Sequence, residues 1–194
     1  MIFIFRYIAY LYPNITQLRM KSLLNLFPPA AVAAFRRISY PKGQILLHTG
    51  DISDKIWLIE EGMVREFFVP EGRRELTTQI AGAGSFIYSP SSYLSGEPSG
   101  RIIEAIEKCR VIPVARDNTT PHFLQAVFEQ TIVRTEKHNA ILQLKHPLQR
   151  LEAFERLYPE LCNRIPLYYV ASLLNMTPQT LSRVRSSRAR PPAP

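Results

Sequence analysis

Between Ile38 and Ala115 the chain is cut by glycine and proline into short strand-sized runs, and that texture limits its folding more than any other feature. "ISYPKGQILLHTGD" holds two β-like runs with Gly43 and Gly50 as turns, and "KIWLIEEGMVREFFV" holds two more around Gly62, with rough in-out alternation. "PEGRRE", residues 70–75, is a turn by its Pro and Gly, and "ELTTQIA", "RIIEAIE" and "RVIPVA" are further strands. Strands spaced by about 8–12 residues suggest a sandwich or barrel, and a jelly roll is the compact solution for about eight of them.

After Asp117 the texture changes. "NTTPHFLQAVFEQTIVRTEKHNAILQLK" has no glycine and only an early proline. It predicts a helix of about 24 residues, about 36 Å long. Phe128, Thr131, Thr135, His138 and Leu142 recur on it at three- and four-residue steps, a seam with apolar ends and a polar middle. A long helix with such a seam is a dimer element. His146-Pro147 breaks it, and "PLQRLEAFERLYPEL" reads as a further helix with Leu148, Leu151, Phe154 and Leu157 on one face. Upstream, residues 21–37 read as short helical pieces. "MIFIFRYIAYLYPNITQLRM" is too short for a membrane span and lacks a signal peptide's basic start. It reads as an extension, with Met20 as an alternative start.

The net charge of +8 is unevenly spread: from Leu161 onward there is no Asp or Glu, and Arg164, Arg183, Arg185, Arg188 and Arg190 are all present. A basic end of this kind suits a polyanion. Cys109 and Cys162 are too few for a disulfide framework or a zinc site, which fits a reducing cytoplasm. The four histidines (His48, His122, His138 and His146) are scattered. With no G-x-S-x-G, P-loop or paired catalytic Cys and His, an enzyme is not expected, nor is a bound metal.

Residues 165–185, "IPLYYVASLLNMTPQTLSRVR", carry the most specific pattern. Pro166 starts one helix, running to Leu174, with Val170 and Leu174 facing inward and small Ala171 at a close crossing. Asn175 sits where the chain turns sharply and tolerates the left-handed conformation. Met176 plugs the turn, Thr177 caps the second helix, and Pro178 fills its first turn. Leu181 and Val184 pack back. The outward face carries Gln179, Thr180, Ser182, Arg183 and Arg185. This predicts a helix-turn-helix. Gln and Arg read adenine and guanine in the major groove, whereas Thr177 and Ser182 suit phosphates.

The order of jelly roll, long helix, short helix and helix-turn-helix resembles the Crp/Fnr family of bacterial transcription regulators, on "YPKGQILLHTGD", "IWLIEEGMVREFF" and "TPQTLSRVR", and most of all its short Bacteroidetes members. The resemblance implies a cytoplasmic homodimer zipped along the long helix. It also implies two recognition helices on a palindromic double-stranded DNA site and contact with RNA polymerase. In cyclic-AMP-binding members, "GSFIYSPSSYLSGEPSGR" (84–101) would be the phosphate-binding cassette. There, a Gly-Glu pair grips the ribose, and an Arg-Ser pair grips the phosphate. Here Tyr88-Ser89 stands for the first and Ser99-Gly100 for the second. Arg101 keeps the same face by strand alternation and leaves room for an anion, and Glu97 lies far along the loop. With Thr131 and Thr135 on the long helix, these are the residues of a degenerate effector pocket. Cyclic AMP is not the expected effector, and no cofactor is expected. Only "SSRARPPAP" follows Arg185, so a β-hairpin wing is not expected, and Arg188 and Arg190 would touch phosphates instead.

The fold class expected is therefore α+β. It comprises an extension at 1–20, a cyclic nucleotide-binding-like jelly roll at 21–116 and a dimerisation helix at 117–146. A small all-α helix-turn-helix domain without a full wing follows at 147–190. The alternative to DNA binding is a sensor that works through protein contacts.

Overall fold

Gly62 turns the chain directly from a strand of one sheet into a strand of the other. The computed structural model describes residues 20–72, 74–159, 162 and 164–189; residues 1–19 of the extension, and Arg190, lie outside these. Before the corner runs β3 (Lys55–Glu61) and after it β4 (Met63–Phe68). The first sheet has the order β1 (Ile38–Tyr40), β8 (Cys109–Ala115), β3, β6 (Phe86–Ile87). The second has the order β2 (Ile45–Leu47), β7 (Ile102–Ala105), β4, β5 (Leu76–Gly82). Every pairing is antiparallel. Eight strands in two facing four-stranded sheets make the jelly roll that the spacing of turns predicts.

Period-two alternation sorts the strand residues between two environments. Trp57, Ile59, Val64, Ile87, Ile103 and Val111 fill the space between the sheets. Ile56, Leu58, Ile112 and Val114 face the other way, and there they pack with Leu23, Phe27, Phe123 and Val127. Leu23 belongs to α1 (Met20–Leu24), and Phe123 and Val127 to the long helix, so the helices on both flanks of the strand region cover one sheet.

The other helices are α2 (Pro29–Ala34), α3 (Pro90–Ser95), α4 (Pro121–Leu142), α5 (Pro147–Leu157), α6 (Leu167–Leu173) and α7 (Pro178–Ala189). Five of the seven helices among the described residues begin with proline, whose missing N–H is not needed in a first turn and whose φ is already helical. Much of the proline content therefore starts helices and does not merely mark loops. Helix α4, 22 residues long, is capped by Thr120, whose hydroxyl accepts the Phe123 N–H at 3.2 Å. The stretch 84–101 is more ordered than its turn-rich sequence indicates. It holds β6 and α3, with Pro90 opening α3 and Gly96 closing it at φ 77°.

The core of the C-terminal helices is continuous with the jelly roll. Leu151, Phe154, Ile165, Val170, Leu174 and Leu181 form one buried cluster with Met63, Ile80 and Ile106 of the jelly roll. Most of this cluster lies after residue 147, and Met63, Ile80 and Ile106 join it to the sheet.

At Gly62, φ is +83°, and an added Cβ would meet the Lys108 carbonyl and stand 2.7 Å from Cys109 Cβ. Gly43 has a similar φ of +84° but nothing within 4 Å. Gly62→Ala is therefore expected to cost about 2–4 kcal/mol, and Gly43→Ala about 1 kcal/mol, the strain of left-handed backbone alone. Urea unfolding midpoints measure both; equal losses would mean that the corner is not sterically closed.

Candidate effector cavity and nucleic-acid interface

The expected cassette positions are filled by the protein's own side chains. Tyr88 is buried, and its hydroxyl lies 3.1 Å from Thr131 Oγ1. The single Thr131 proton goes to the Val127 carbonyl at 2.8 Å, so Tyr88 is the donor. Burial raises the Tyr88 phenol above its ordinary range. Ser89 and Ser99 are buried too, and the Ser99 hydroxyl donates to Ser89 Oγ at 3.0 Å. Ser99 Oγ also accepts the Arg101 N–H at 3.0 Å. Ser53 and Ser92 extend the network: Ser53 Oγ accepts the Ser89 N–H at 3.3 Å, and Ser92 Oγ accepts the Ser53 N–H at 2.9 Å. These buried hydroxyls are engaged with one another and with neighbouring backbone, and no cation stands among them to meet a phosphate.

Two of the expected pocket residues lie elsewhere. Glu97 is exposed, in the loop just after the Gly96 cap of α3, and Gly100 is exposed beside the serine network. Neither lines a cavity. A helix inside the stretch carries Glu97 outward, which a loop reading does not anticipate.

Next to this plugged cassette is an open cavity of about 550 Å³. Arg101, Thr131 and Thr135 line it as expected, together with Glu66, Arg134 and His138. Its walls are β4 and β5, one face of α4, and Ser172, Leu173 and Asn175 at the end of α6. The α4 seam therefore faces its own jelly roll. Phe128 packs into the core cluster under α4, and Thr131, Thr135, His138 and Leu142 face the cavity. The outward face of α4 presents Ile132, which is 58% exposed. The seam repeats at helical spacing because it follows the sheet, and spacing alone does not distinguish that from a partner helix.

Glu66 and Arg134 are the cavity residues that sequence reasoning missed. Alternation along "MVREFF" places Glu66 on the face of Val64 and Phe68, and Arg134 lies three residues after Thr131, one helical step along the same face. Glu66 is 5% exposed. Burial raises its carboxyl from 4.5 to about 7, against the opposing pull of Arg101 and Arg134. Arg101 Nε stands 3.7 Å from Glu66 Oε1, and its guanidinium stacks 4.3 Å over the Phe68 ring. Arg134 donates to the Phe86 carbonyl at 3.2 Å and lies 4.6 Å over the Phe86 ring, while burial lowers its pKa. Burial also lowers His138, favouring the neutral ring.

At the other end, α6 and α7 form the expected helix-turn-helix. Asn175 is the one non-glycine residue at positive φ among the described residues, at 52°. Thr177 Oγ1 accepts the Thr180 N–H at 3.1 Å and so caps α7. Arg150 of α5 donates to the Leu174 and Asn175 carbonyls at 2.8 and 3.2 Å, placing a cation at the C-terminal end of α6. Leu181 is fully buried and Val184 packs beside it. Gln179, Ser182, Arg183 and Arg185 are exposed, and Thr180 is half-buried. Arg188 differs from the expectation. It falls seven residues after Leu181, stays half exposed, and pairs with Glu155 of α5 at 2.5 Å. The end of the chain is basic throughout, and charge alone does not show which arginine points back.

Among the described residues no cluster of His, Cys, Asp and Glu could hold a metal ion, and no helix is long and apolar enough to cross a membrane.

The buried Glu66 gives a pH signature. Below pH 4.5 the carboxyl is protonated folded and unfolded. Between 4.5 and about 7 the unfolded chain releases a proton that the folded chain keeps, so stability falls as pH rises. Above that window the penalty stays constant at up to about 3 kcal/mol. Relative to Glu66→Gln, the melting temperature of the wild type is expected to fall across this window and then run parallel. Parallel profiles throughout would rule out a neutral carboxyl at this position.

Residues 37–122 match the family model of the cyclic nucleotide-binding domain. A cyclic AMP receptor protein of Thermus thermophilus is 28% identical over 88 residues, which are 45% of this chain and 40% of that protein. The match thus spans well under half the length of that curated relative. Solved structures extend the likeness to most of the chain. A CRP/FNR-family transcriptional regulator from Thermus thermophilus aligns with a TM-score of 0.67 at 20% identity, over 80% of this chain and 86% of that one. FixK2 from Bradyrhizobium japonicum aligns with a TM-score of 0.67 at 18% identity, over 79% and 84%. Residues 37–122 thus match the cyclic nucleotide-binding domain, within a chain that has the fold of the Crp/Fnr-family transcriptional regulators.

Proposed function

We propose that this protein is a DNA-binding transcription regulator of the Crp/Fnr type, acting as a homodimer on a palindromic site, with a cassette that no longer grips cyclic AMP. The observation that carries this reading is the outer side of α7. Gln179, Ser182, Arg183 and Arg185 stand exposed on a helix whose other side is fixed by Leu181, Val184 and the Arg188–Glu155 pair. A rigidly seated helix with Gln and Arg on its free face has the donors and acceptors for major-groove edges. No acidic residue after Glu160 opposes an approach to phosphate. Thr177 and Ser182 would meet the DNA backbone.

Two such helices in a dimer would read half-sites about one helical turn apart. With the α4 seam turned toward its own jelly roll, the free face around Ile132 is the surface for the partner helix. The regulator would reach RNA polymerase from the DNA-bound dimer. Loss of the Gly-Glu and Arg-Ser grips, replaced by Tyr88, Ser89, Ser99 and Gly100, is the ground for excluding cyclic AMP as effector.

Gel shifts on promoter fragments at stated salt test the reading. Arg183→Ala is expected to lose about tenfold or more in affinity, the value of a base contact, while remaining dimeric by light scattering. Arg188→Ala, already engaged with Glu155, is expected to lose less. Equal binding by wild type and Arg183→Ala would sink the base-contact assignment, and no binding by either would favour a sensor that works through protein contacts.

Light scattering on Ile132→Asp tests the dimer separately. Two facing charges on the apolar point of α4 are expected to give a monomer with an unchanged circular dichroism spectrum. A dimer that persists would place the interface elsewhere.

A further inference from the structure

We propose that the cavity between β4, β5, α4 and the end of α6 is a binding site for a small organic acid, with the anionic head between Arg101 and Arg134 and the apolar body against Phe68, Leu76, Leu142 and Leu173. This cavity is the pocket that the sequence points to, with its ligand class now named: Arg101, Thr131 and Thr135 line it with Pro90 and Ser91 of the cassette stretch, while none of Tyr88, Ser89, Ser99 and Gly100 does. Four lining residues titrate or carry charge, namely Glu66 from β4, Arg101 from the segment before β7, and Arg134 and His138 from α4. Two guanidinium groups thus share one carboxyl, and His138 is held neutral by burial. The cavity carries a surplus of positive charge in a partly desolvated place, where a matching anion is worth most.

The arginines are also poised for a ligand. Arg101 Nη1 is buried with no hydrogen-bond partner. Its nearest carboxylate contact, to Glu66, is 3.7 Å, beyond hydrogen-bonding distance. Both guanidinium planes are held by aromatic stacking, Arg101 on Phe68 and Arg134 on Phe86, so their forks are fixed before a ligand arrives. A volume of about 550 Å³ accommodates a body of one or two rings or a medium acyl chain.

Glu66 sets how such an acid is held. An ionised Glu66 repels an incoming carboxylate, whereas a protonated one donates a hydrogen bond to it. With its carboxyl near pH 7, the protein reaches the protonated form cheaply. Binding then takes up one proton above pH 7, and affinity weakens by up to about tenfold per pH unit there. Below pH 7 the affinity is flat.

Ser172, Leu173 and Asn175 close the far wall, and Asn175 is the turn of the helix-turn-helix. A bound acid therefore touches both the sheet and the reading head. This coupling step rests on the DNA-binding reading above; the binding step does not.

The test uses the full chain and the fluorescent sulfonate 8-anilinonaphthalene-1-sulfonate, displaced by benzoate or octanoate. The expected result is one saturable site per chain, displaced by both acids and not by cyclic AMP at the same concentration. Arg101 is 36% exposed, so Arg101→Gln is expected to fold, and its affinity should drop at least tenfold. Arg134→Gln should do the same where it folds. Glu66→Gln should remove the pH dependence between 7 and 9. Undiminished dye binding by Arg101→Gln, or displacement by cyclic AMP in preference to the acids, would overturn the site. Benzoate that binds but leaves DNA affinity unchanged would overturn the coupling. A chain that takes up benzoate and never shifts DNA would leave the acid site standing and remove the DNA-binding reading; a chain that shifts DNA and takes up no acid would do the reverse.

Discussion

The arrangement of this molecule turns on the Arg65 side chain. It is 4% exposed, yet charged, and its position on β4 puts it on the outer face of the second sheet. Its Nη2 lies 2.7 Å from both Glu75 and Glu104, so two carboxylates answer one buried cation. Its guanidinium is also sandwiched between two rings, 3.8 Å from the Phe67 centroid and 4.1 Å from that of Tyr169. Phe67 belongs to the sheet and Tyr169 to α6. A buried cation needs this degree of neutralisation to be tolerated, and here the groups that supply it come from both sides of the boundary. Beside it, Ser172 of α6 accepts the Thr77 N–H at 2.8 Å and donates to the Glu75 carbonyl at 3.0 Å. The helix-turn-helix is thus docked by a polar clamp laid over the shared apolar cluster of Met63, Ile80 and the C-terminal helices.

The clamp explains how the cavity comes to exist. β4 carries Arg65 and Phe67 on the face that holds α6, and Glu66 and Phe68 on the face that lines the cavity. One strand, read at period two, therefore addresses both the helix-turn-helix and the interior. At this point its pairing with β5 shifts register, between Glu66 and Phe67, so the extra residue on β5 bends the sheet where the cavity opens. A displacement of Glu66 or Phe68 is carried to Arg65 and Phe67 through one or two peptide units, with no longer path required.

Much of this was legible in the sequence, and the reasons divide cleanly. Turn glycines, proline-started helices and the Asn175 corner are local chemistry, fixed by backbone sterics within a few residues, and they came out as read. Arg101 lines the cavity, where strand alternation puts it without knowledge of the partner strand. What local chemistry does not supply is which side of an element meets the rest of the protein. The α4 seam has the spacing of a dimer contact, and in this chain Thr131, Thr135, His138 and Leu142 also line the cavity. Arg188 carries the charge of a DNA contact and, half exposed, also pairs with Glu155. Glu97 is carried to the surface by a helix hidden in a Ser- and Pro-rich stretch. Glu66 and Arg134 went unnoticed because a buried charge gives no local signal; only the assembled cavity shows that they face each other.

The exchange at the cassette has a physical logic of its own. A site that binds a phosphate must keep a cation and several donors unsatisfied until the ligand comes, at a cost in stability of the empty protein. Tyr88 and the four serines remove that cost: each buried hydroxyl of the network has a partner within the chain. The cost reappears a few ångströms away, in an arginine with an unpartnered nitrogen and a carboxyl held well above its ordinary pKa. A fold with no use for an internal ligand would relax both, since replacing buried charges by apolar groups of similar size is neutral or stabilising. The strained charges of this interior therefore lie on the cavity wall and not among the cassette hydroxyls, and that cavity is bounded at its far end by Ser172, Leu173 and Asn175 at the end of α6.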